Sequence, residues 1–285
     1  MPTEQGCCTL SAIRAVGSWR SVSLGQRGQI SAVLDGVTRV APLDDAGRLA
    51  GSMRGSTVHS MIEEIGPHLF IQRHPLRMAG CQMGRIVTIV QLDSGKLFVH
   101  STANFSQEDI NEINTLGTPA WLVEATCFHD TCSKAGRTAF PEIPYLVPPG
   151  FADAESLDAS PLLHGQTWAN ELQAIEIGGM PKIREFAFYH SPSKTLILAD
   201  LLFNLPPDVG RWTQWFLRAT RGIHEFPGMS RLFRFFIKDR AAFASSIQQI
   251  ADLPIDRIVV AHGEPIVQDA KATLMNTLTK HGLAP

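Results

Sequence analysis

The sequence predicts a layered α/β domain over residues 61–285, and three observations carry that reading. Runs rich in β-branched residues come in two groups, His68–Val147 and Leu172–Ala199, and segments of helical period follow the second. The first group holds its own hairpin signal, Asp93-Ser-Gly95, and a helix start, Ser106 with Asp109 three residues on. A late apolar strand, Arg257–Ala261, returns before a final helix. Strands gathered in blocks point to stacked layers, not to an alternating parallel wind.

The elements follow in order. His68-Leu-Phe-Ile-Gln-Arg73 and Arg85–Leu92 read as strands, and Lys96–His100 as the return strand of a hairpin. The helix opened by Ser106 runs through Leu116, and Gly117 stops it. Ala120–Glu124 is a strand, a short helix after Ser133 ends before Pro141, and Tyr145–Val147 resumes the sheet. Pro148–Asn170, with its Pro, Gly, Asp and Ser, reads as loop. Leu172–Ile177, Arg184–His190 and Lys194–Ala199 form the second group, and Ser191-Pro-Ser193 turns between the last two. Trp212, Trp215, Phe216, Ala219 and Ile223 keep a helical period, as do Phe243, Ile247, Ile250 and Leu253. Pro265 stands where a first-turn proline opens a helix, expected to reach about Lys280, with Gly282 beyond it.

Bulk properties remove several function classes. A formal net charge of −2 argues against a nucleic-acid binder, which carries a strongly basic face. No apolar run approaches the roughly 20 residues needed to span a bilayer. Five cysteines, Cys7, Cys8, Cys81, Cys127 and Cys132, do not make a disulfide scaffold in a sequence of this length. Without a secretory apolar region near Met1, the expected setting is cytoplasmic. Residues 1–60 read as a poorly ordered leader. Arg14, Arg20 and Arg27 among serines leave organellar import as the alternative.

Three places can carry chemistry. Asp200 ends the run Thr195-Leu-Ile-Leu-Ala, and His262 ends Ile258-Val-Val-Ala, so both stand where a rigid strand delivers a side chain to a loop. Taken alone, each reads first as structural, Asp200 as a cap of the turn at Leu201–Asn204 and His262 as a hydrogen-bonded loop residue. The third is Thr126-Cys-Phe-His-Asp-Thr-Cys132, which sets two thiols, an imidazole and a carboxylate in one strand-to-helix loop. Cys127 and Cys132 lack C-x-x-C spacing, so this is a weak zinc motif by itself. A thiolate–imidazolium pair of either cysteine with His129 is a minor alternative.

Taken together, the order of these features resembles the metallo-β-lactamase superfamily from about Ile65 to the C-terminus. That resemblance implies an αββα sandwich with a metal site at the strand ends. In its T-H-x-H-x-D-H loop, Thr126 matches the leading Thr and His129 the second His. Asp200 matches the metal-bridging Asp and His262 the last His, while Gly179–His190 covers the family's internal G-H turn and the following strand. The departures are Cys127, Thr131 and Cys132 in the loop, and Met180 in place of the His of that internal turn.

The resemblance therefore implies a remodelled site on an α/β αββα sandwich. Metal ligands are expected among His129, Asp200, His262, Cys127 and Cys132, with Asp200 and His129 catalytic. His100, Glu185 and Met180 are expected around them, in supporting or substrate-facing positions. The expected cofactor is one divalent metal, zinc first and iron or manganese after it, with a metal-free protein of equal standing. The expected activity is hydrolysis of a small ester, thioester, lactone or amide; the alternative is a metal-free binding module. The partner is then a small-molecule substrate, not nucleic acid, and the oligomeric state is not specified.

A helical insertion is expected over 205–254, between the strand ending at Asp200 and the last strand. From Arg211 to Arg240 it holds seven basic residues, two acidic ones, and the aromatics Trp212, Trp215, Phe216, Phe226, Phe233, Phe235 and Phe236. Two helices packing on the sandwich come first among its readings, a lid over the strand ends second, and a membrane-surface contact last.

Overall fold

A computed structural model describes residues 61–206 and 209–285, with side chains omitted at 220, 221 and 232, and the backbone of three strands nearer the N-terminus. Those strands, β1 (Ser21–Gly25), β2 (Gln29–Leu34) and β3 (Val37–Pro42), form an antiparallel sheet of order β1-β2-β3. They stand inside the stretch expected to be a leader; the rest of that stretch lies outside the described residues. The contact pattern divides the protein at Val58, and the remainder is described from here on.

Two sheets form that remainder. The first has order β12-β11-β10-β9-β8-β5-β4, built from Glu63–Gly66 (β4), Leu69–His74 (β5), Arg85–Gln91 (β8), Lys96–His100 (β9), Thr118–Val123 (β10), Tyr145–Val147 (β11) and Ala159–Pro161 (β12). The connection from β5 to β8 carries a separate small hairpin, β6 (Arg77–Met78) with β7 (Cys81–Gln82). The second sheet has order β13-β14-β15-β16-β17: Thr167–Trp168, Leu172–Glu176, Phe186–His190, Thr195–Leu198 and Arg257–Val260. Thus Pro148–Asn170, expected as loop, contributes the short edge strands β12 and β13.

Strand alternation builds three apolar layers. Ile86, Val90 and Phe98 pack between the sheets against Phe188, Ile197 and Val259. Their neighbours Val87, Ile89, Leu97 and Val99 face the other way, toward Ile113 and Phe140 of the first helical layer. On the second sheet, Ala187, Leu196, Leu198, Ile258 and Val260 face Phe243, Ile247, Leu274 and Leu278. A period of two on strands that are buried on both faces gives helix, sheet, sheet, helix. The architecture is an αββα sandwich.

The helices are α1 (Gln107–Leu116), α2 (Ser133–Ala139), α3 (Arg211–Phe216), α4 (Arg231–Phe236), α5 (Arg240–Ala251) and α6 (Ala270–Lys280). The capping box of α1 forms as its sequence predicts: the Asp109 amide donates to Ser106 Oγ at 3.1 Å, and the Ser106 amide to Asp109 Oδ2 at 2.8 Å. The last helix begins later than Pro265, because Ile266 exchanges two backbone hydrogen bonds with Ile258, at 2.9 and 2.8 Å. That bridge extends the sheet and delays the helix to Ala270. The expected insertion also shortens. Helix α5 buries Phe243, Ile247 and Ile250 on the second sheet and belongs to the sandwich, leaving α3, a π-helical turn (Leu217–Arg221) and α4 as the added segment. No helix among the described residues is long and apolar enough to cross a membrane.

Candidate active site

Three loops meet at one end of the sandwich. The first follows β10, where Cys127 N and Thr126 Oγ1 both donate to the Ile183 carbonyl, at 2.9 and 3.1 Å. The amide of Phe186 returns a bond to Ala125 at 2.7 Å. These bonds tie the His129 loop to the segment entering the second sheet. The second loop follows β16, and the Glu185 carboxylate accepts the amides of Ala199, Asp200 and Leu201 at 3.0, 3.2 and 3.1 Å. Glu185 thereby fixes the backbone that presents Asp200.

The third loop follows β17. His262 Nδ1 lies 2.7 Å from the Gly84 carbonyl, and Ile86 N donates to the Ala261 carbonyl at 2.9 Å, so this loop is sewn to the start of β8. A carbonyl only accepts, so Nδ1 carries the proton and Nε2 keeps a lone pair. The imidazole lies nearly parallel to the Phe203 ring, with 7° between planes and centroids 5.5 Å apart. Gly263 is required here: its φ is +103°, and a Cβ would stand 2.0 Å from the Asn204 carbonyl oxygen.

These loops bring His129, Asp200 and His262 together, with one ligand-type atom from each inside a 4.8 Å span. Asp200 Oδ1 lies 3.6 Å from His129 Nε2 and 3.7 Å from His262 Nε2. On its other side, His129 Nδ1 lies 3.5 Å from Glu124 Oε2. Glu124 Oε1 in turn accepts Thr102 N at 2.7 Å and Thr102 Oγ1 at 2.5 Å. Arg85, buried, donates from Nη1 to Ser101 Oγ at 2.8 Å. The contacts close a ring: Arg85, Ser101–Thr102, Glu124, His129, Asp200, His262, and back to Gly84.

Electrostatics follow from this packing. Burial pulls the Asp200 carboxyl upward, but the charge and hydrogen bonding of His129, joined by the Arg85 charge, outweigh it and hold Asp200 well below the usual carboxylate range. Glu124 is lowered in the same way, burial being overcome by His129, Arg85 and Thr102. Burial and the neighbouring cations Arg85 and His129 push His262 down to about 3, so it is neutral at physiological pH. For His129 burial and Arg85 act downward, yet the two carboxylates beside it raise it overall. Burial, reinforced by the Asp200 charge, lifts Glu185 to about 8.

The other expected residues stand outside the His–Asp–His cluster. Cys127 lines the same cavity without joining the cluster, and Cys132 does neither. Cys127 Sγ faces the Pro149 carbonyl at 3.8 Å, and Cys132 sits in an apolar cluster with Leu76, Met83 and Phe203. Burial raises both thiols above their ordinary value, which disfavours a thiolate nucleophile. Met180 is buried with Ile183 and Phe243 beneath the helices of the second sheet, so its expected place facing a substrate is not met. His100 is buried between the sheets with its ring centroid 5.3 Å from that of Phe188; burial pushes it down to about 3. The expectation omitted Arg85 and Glu124. A lone Glu ending the apolar strand Trp121-Leu-Val and a lone Arg opening Ile86–Val90 were the available signals.

A cavity of about 210 Å³ opens onto the cluster, walled by Met78, Met83, Phe128, Phe203 and Leu217. Its roof is braced by two bonds between the β6–β7 hairpin and α3: Trp212 Nε1 to Ala79 O at 3.3 Å, and Gln82 N to Thr213 Oγ1 at 3.0 Å.

No family model matches the sequence, and no curated protein matches it. Its structure, however, is similar to solved metallo-β-lactamases. The DIM-1 metallo-β-lactamase shares 13% identity with a TM-score of 0.53, over 78% of this chain and 98% of that one. The metallo-β-lactamase from Pontibacter korlensis shares 16% at 0.52, over 77% and 98%. The enzyme from Hirschia baltica shares 9% at 0.53, over 78% and 98%. Nearly the whole of each relative is covered, and the same sandwich is superposed. The protein has the metallo-β-lactamase fold.

Proposed function

We propose that this protein is a hydrolase of a small ester, thioester, lactone or amide, acting at the His129–Asp200–His262 centre with one divalent ion. The convergence of two imidazole nitrogens on one carboxylate oxygen, at 3.6 and 3.7 Å, carries the reading. Such a donor set suits zinc, with iron or manganese as alternatives. The residues fit a cation in two further respects. His129 Nε2 is buried with no hydrogen-bond partner among the described residues, and the Gly84 carbonyl commits His262 Nε2 to a lone pair. His129, Asp200 and His262 would hold a divalent ion, which would supply Lewis-acid activation of water and of a substrate carbonyl.

The protein's own groups do the rest. Asp200, kept ionised, contributes the negative charge, and Glu185 holds its backbone in place. Glu124 and Gly84 orient the two rings. Met83, Phe203 and Leu217 give the cavity apolar walls, and its volume, below the roughly 300–1,000 Å³ of pockets that hold drug-sized ligands, favours a small acyl group. The relatives are named β-lactamases, which adds a lactam to the substrates worth testing.

The test is steady-state turnover of four reporters: a short aryl ester, a short acyl thioester, a lactone and a β-lactam. Turnover of at least one is expected, with Asp200→Ala and His262→Ala each lowering kcat/KM by about a hundredfold or more. Metal-loaded protein that turns over none of the four would sink this reading.

A further inference from the structure

The segment added between β16 and β17 leaves an unusual surface around the mouth of the cavity. Trp212 and Trp215 stack with centroids 5.1 Å apart, yet are 53% and 59% exposed, and Phe235 is 72% exposed. Single exposed apolar residues are ordinary; several large ones beside an opening are not. These residues connect to the mouth on two sides. Trp212 is hydrogen-bonded to the hairpin that carries Met78, an exposed wall residue. Phe128, another exposed wall residue, meets Phe236 edge-on at 5.5 Å, next to Phe235 in sequence.

The charges on the same segment are one-sided. Arg211, Arg218, Arg231, Arg234 and Lys238 are exposed, and none forms a salt bridge with a described residue. The segment's two acids are engaged elsewhere, Glu225 with Lys280 at 2.5 Å and Asp239 as the N-cap of α5. The protein as a whole carries −2, so the cationic excess here is local. Exposed indoles beside unpaired guanidinium groups match the polar–apolar boundary of an anionic bilayer, where Trp partitions and each cation gains from the surface potential.

We infer that α3, the π-helical turn and α4 dock this protein on an anionic lipid surface, with the mouth of the cavity turned to the membrane. Docking stands apart from hydrolysis, whereas the consequence that an apolar acyl substrate enters from the bilayer rests on the hydrolase reading.

The experiment is vesicle flotation of the full-length protein, with phosphatidylcholine alone and with added phosphatidylglycerol, alongside tryptophan emission. The expected result is binding to the anionic vesicles, an emission shift to the blue, and loss of both at high salt. Arg218→Ser/Arg231→Ser/Arg234→Ser should weaken binding by about a hundredfold, and Trp215→Ser/Phe235→Ser should weaken it while removing the blue shift. Circular dichroism confirms that each variant is folded. His262→Ala should float like the wild type, which separates failure of docking from failure of hydrolysis. Absence of binding to anionic vesicles, or binding that folded variants leave unchanged, overturns the inference. So does a self-associated species, seen by light scattering, that Trp215→Ser/Phe235→Ser dissolves while vesicles are ignored.

Discussion

Glu124 Oε2 lies 3.5 Å from His129 Nδ1, with both side chains buried and the other carboxylate oxygen pinned by the amide and hydroxyl of Thr102. The carboxylate stands on the Nδ1 side of the ring and Asp200 on the Nε2 side, the arrangement in which an outer carboxylate orients a metal-binding histidine. His262 gets the same treatment from a backbone carbonyl. Two different devices therefore present two Nε2 atoms to a single carboxylate.

Glu124→Ala should weaken metal binding by about 10–100-fold, measured by competition with a chromophoric chelator. It should also lower stability by about 1–3 kcal/mol, since Thr102 loses a buried acceptor. An unchanged metal affinity would reduce Glu124 to a packing residue.

Cys127→Ser/Cys132→Ser should leave metal content and affinity unchanged, because neither thiol belongs to the ligand cluster. Loss of metal in this variant, as measured by elemental analysis, would bring the thiols back as ligands.

Acid should destabilise the fold through His100. Its folded pKa is depressed from 6.5 to about 3 by burial, so between those values the unfolded state binds a proton that the folded state excludes. Stability then rises with pH across that window and is lost as pH falls through it, at up to about 1.4 kcal/mol per pH unit. His262, lowered to about 3, and His190, lowered to about 4, act across the same window, and the lowered carboxyls of Glu124 and Asp200 act in the same direction at lower pH, while the raised His129 and Glu185 act in the opposite one. Replacing His100→Leu should flatten the dependence of the urea midpoint on pH from 6.5 downward. A slope equal to the wild type's would show that His100 contributes nothing beside His262 and His190.

Much of the sandwich was legible because its strands are short β-branched runs bounded by turn residues, as at Asp93-Ser-Gly95. Asp200 and His262 were legible for the same reason, each being the first polar side chain after a buried strand. The ring that supports them was not. Arg85 and Glu124 act through Ser101, Thr102 and Gly84, which come from separate strands and turns. Nearness in sequence was a partial guide: Cys127 and Cys132 flank His129 in one loop, yet only Cys127 lines the cavity, while Cys132 packs in an apolar cluster. Pro265 signalled a helix, but the tertiary pairing of Ile266 with Ile258 prevailed over that local signal.

The central claim is that His129, Asp200 and His262 form one metal centre. Elemental analysis of untagged protein, purified without added metal and compared with Asp200→Ala/His262→Ala, tests it most directly. The account predicts about one zinc, iron or manganese ion per protein molecule, lost in the double variant, and a melting temperature that falls when the wild type is treated with a chelator. Wild-type protein free of metal, unable to take it up, and melting identically with and without chelator would contradict the account and favour a metal-free binding module on the same fold.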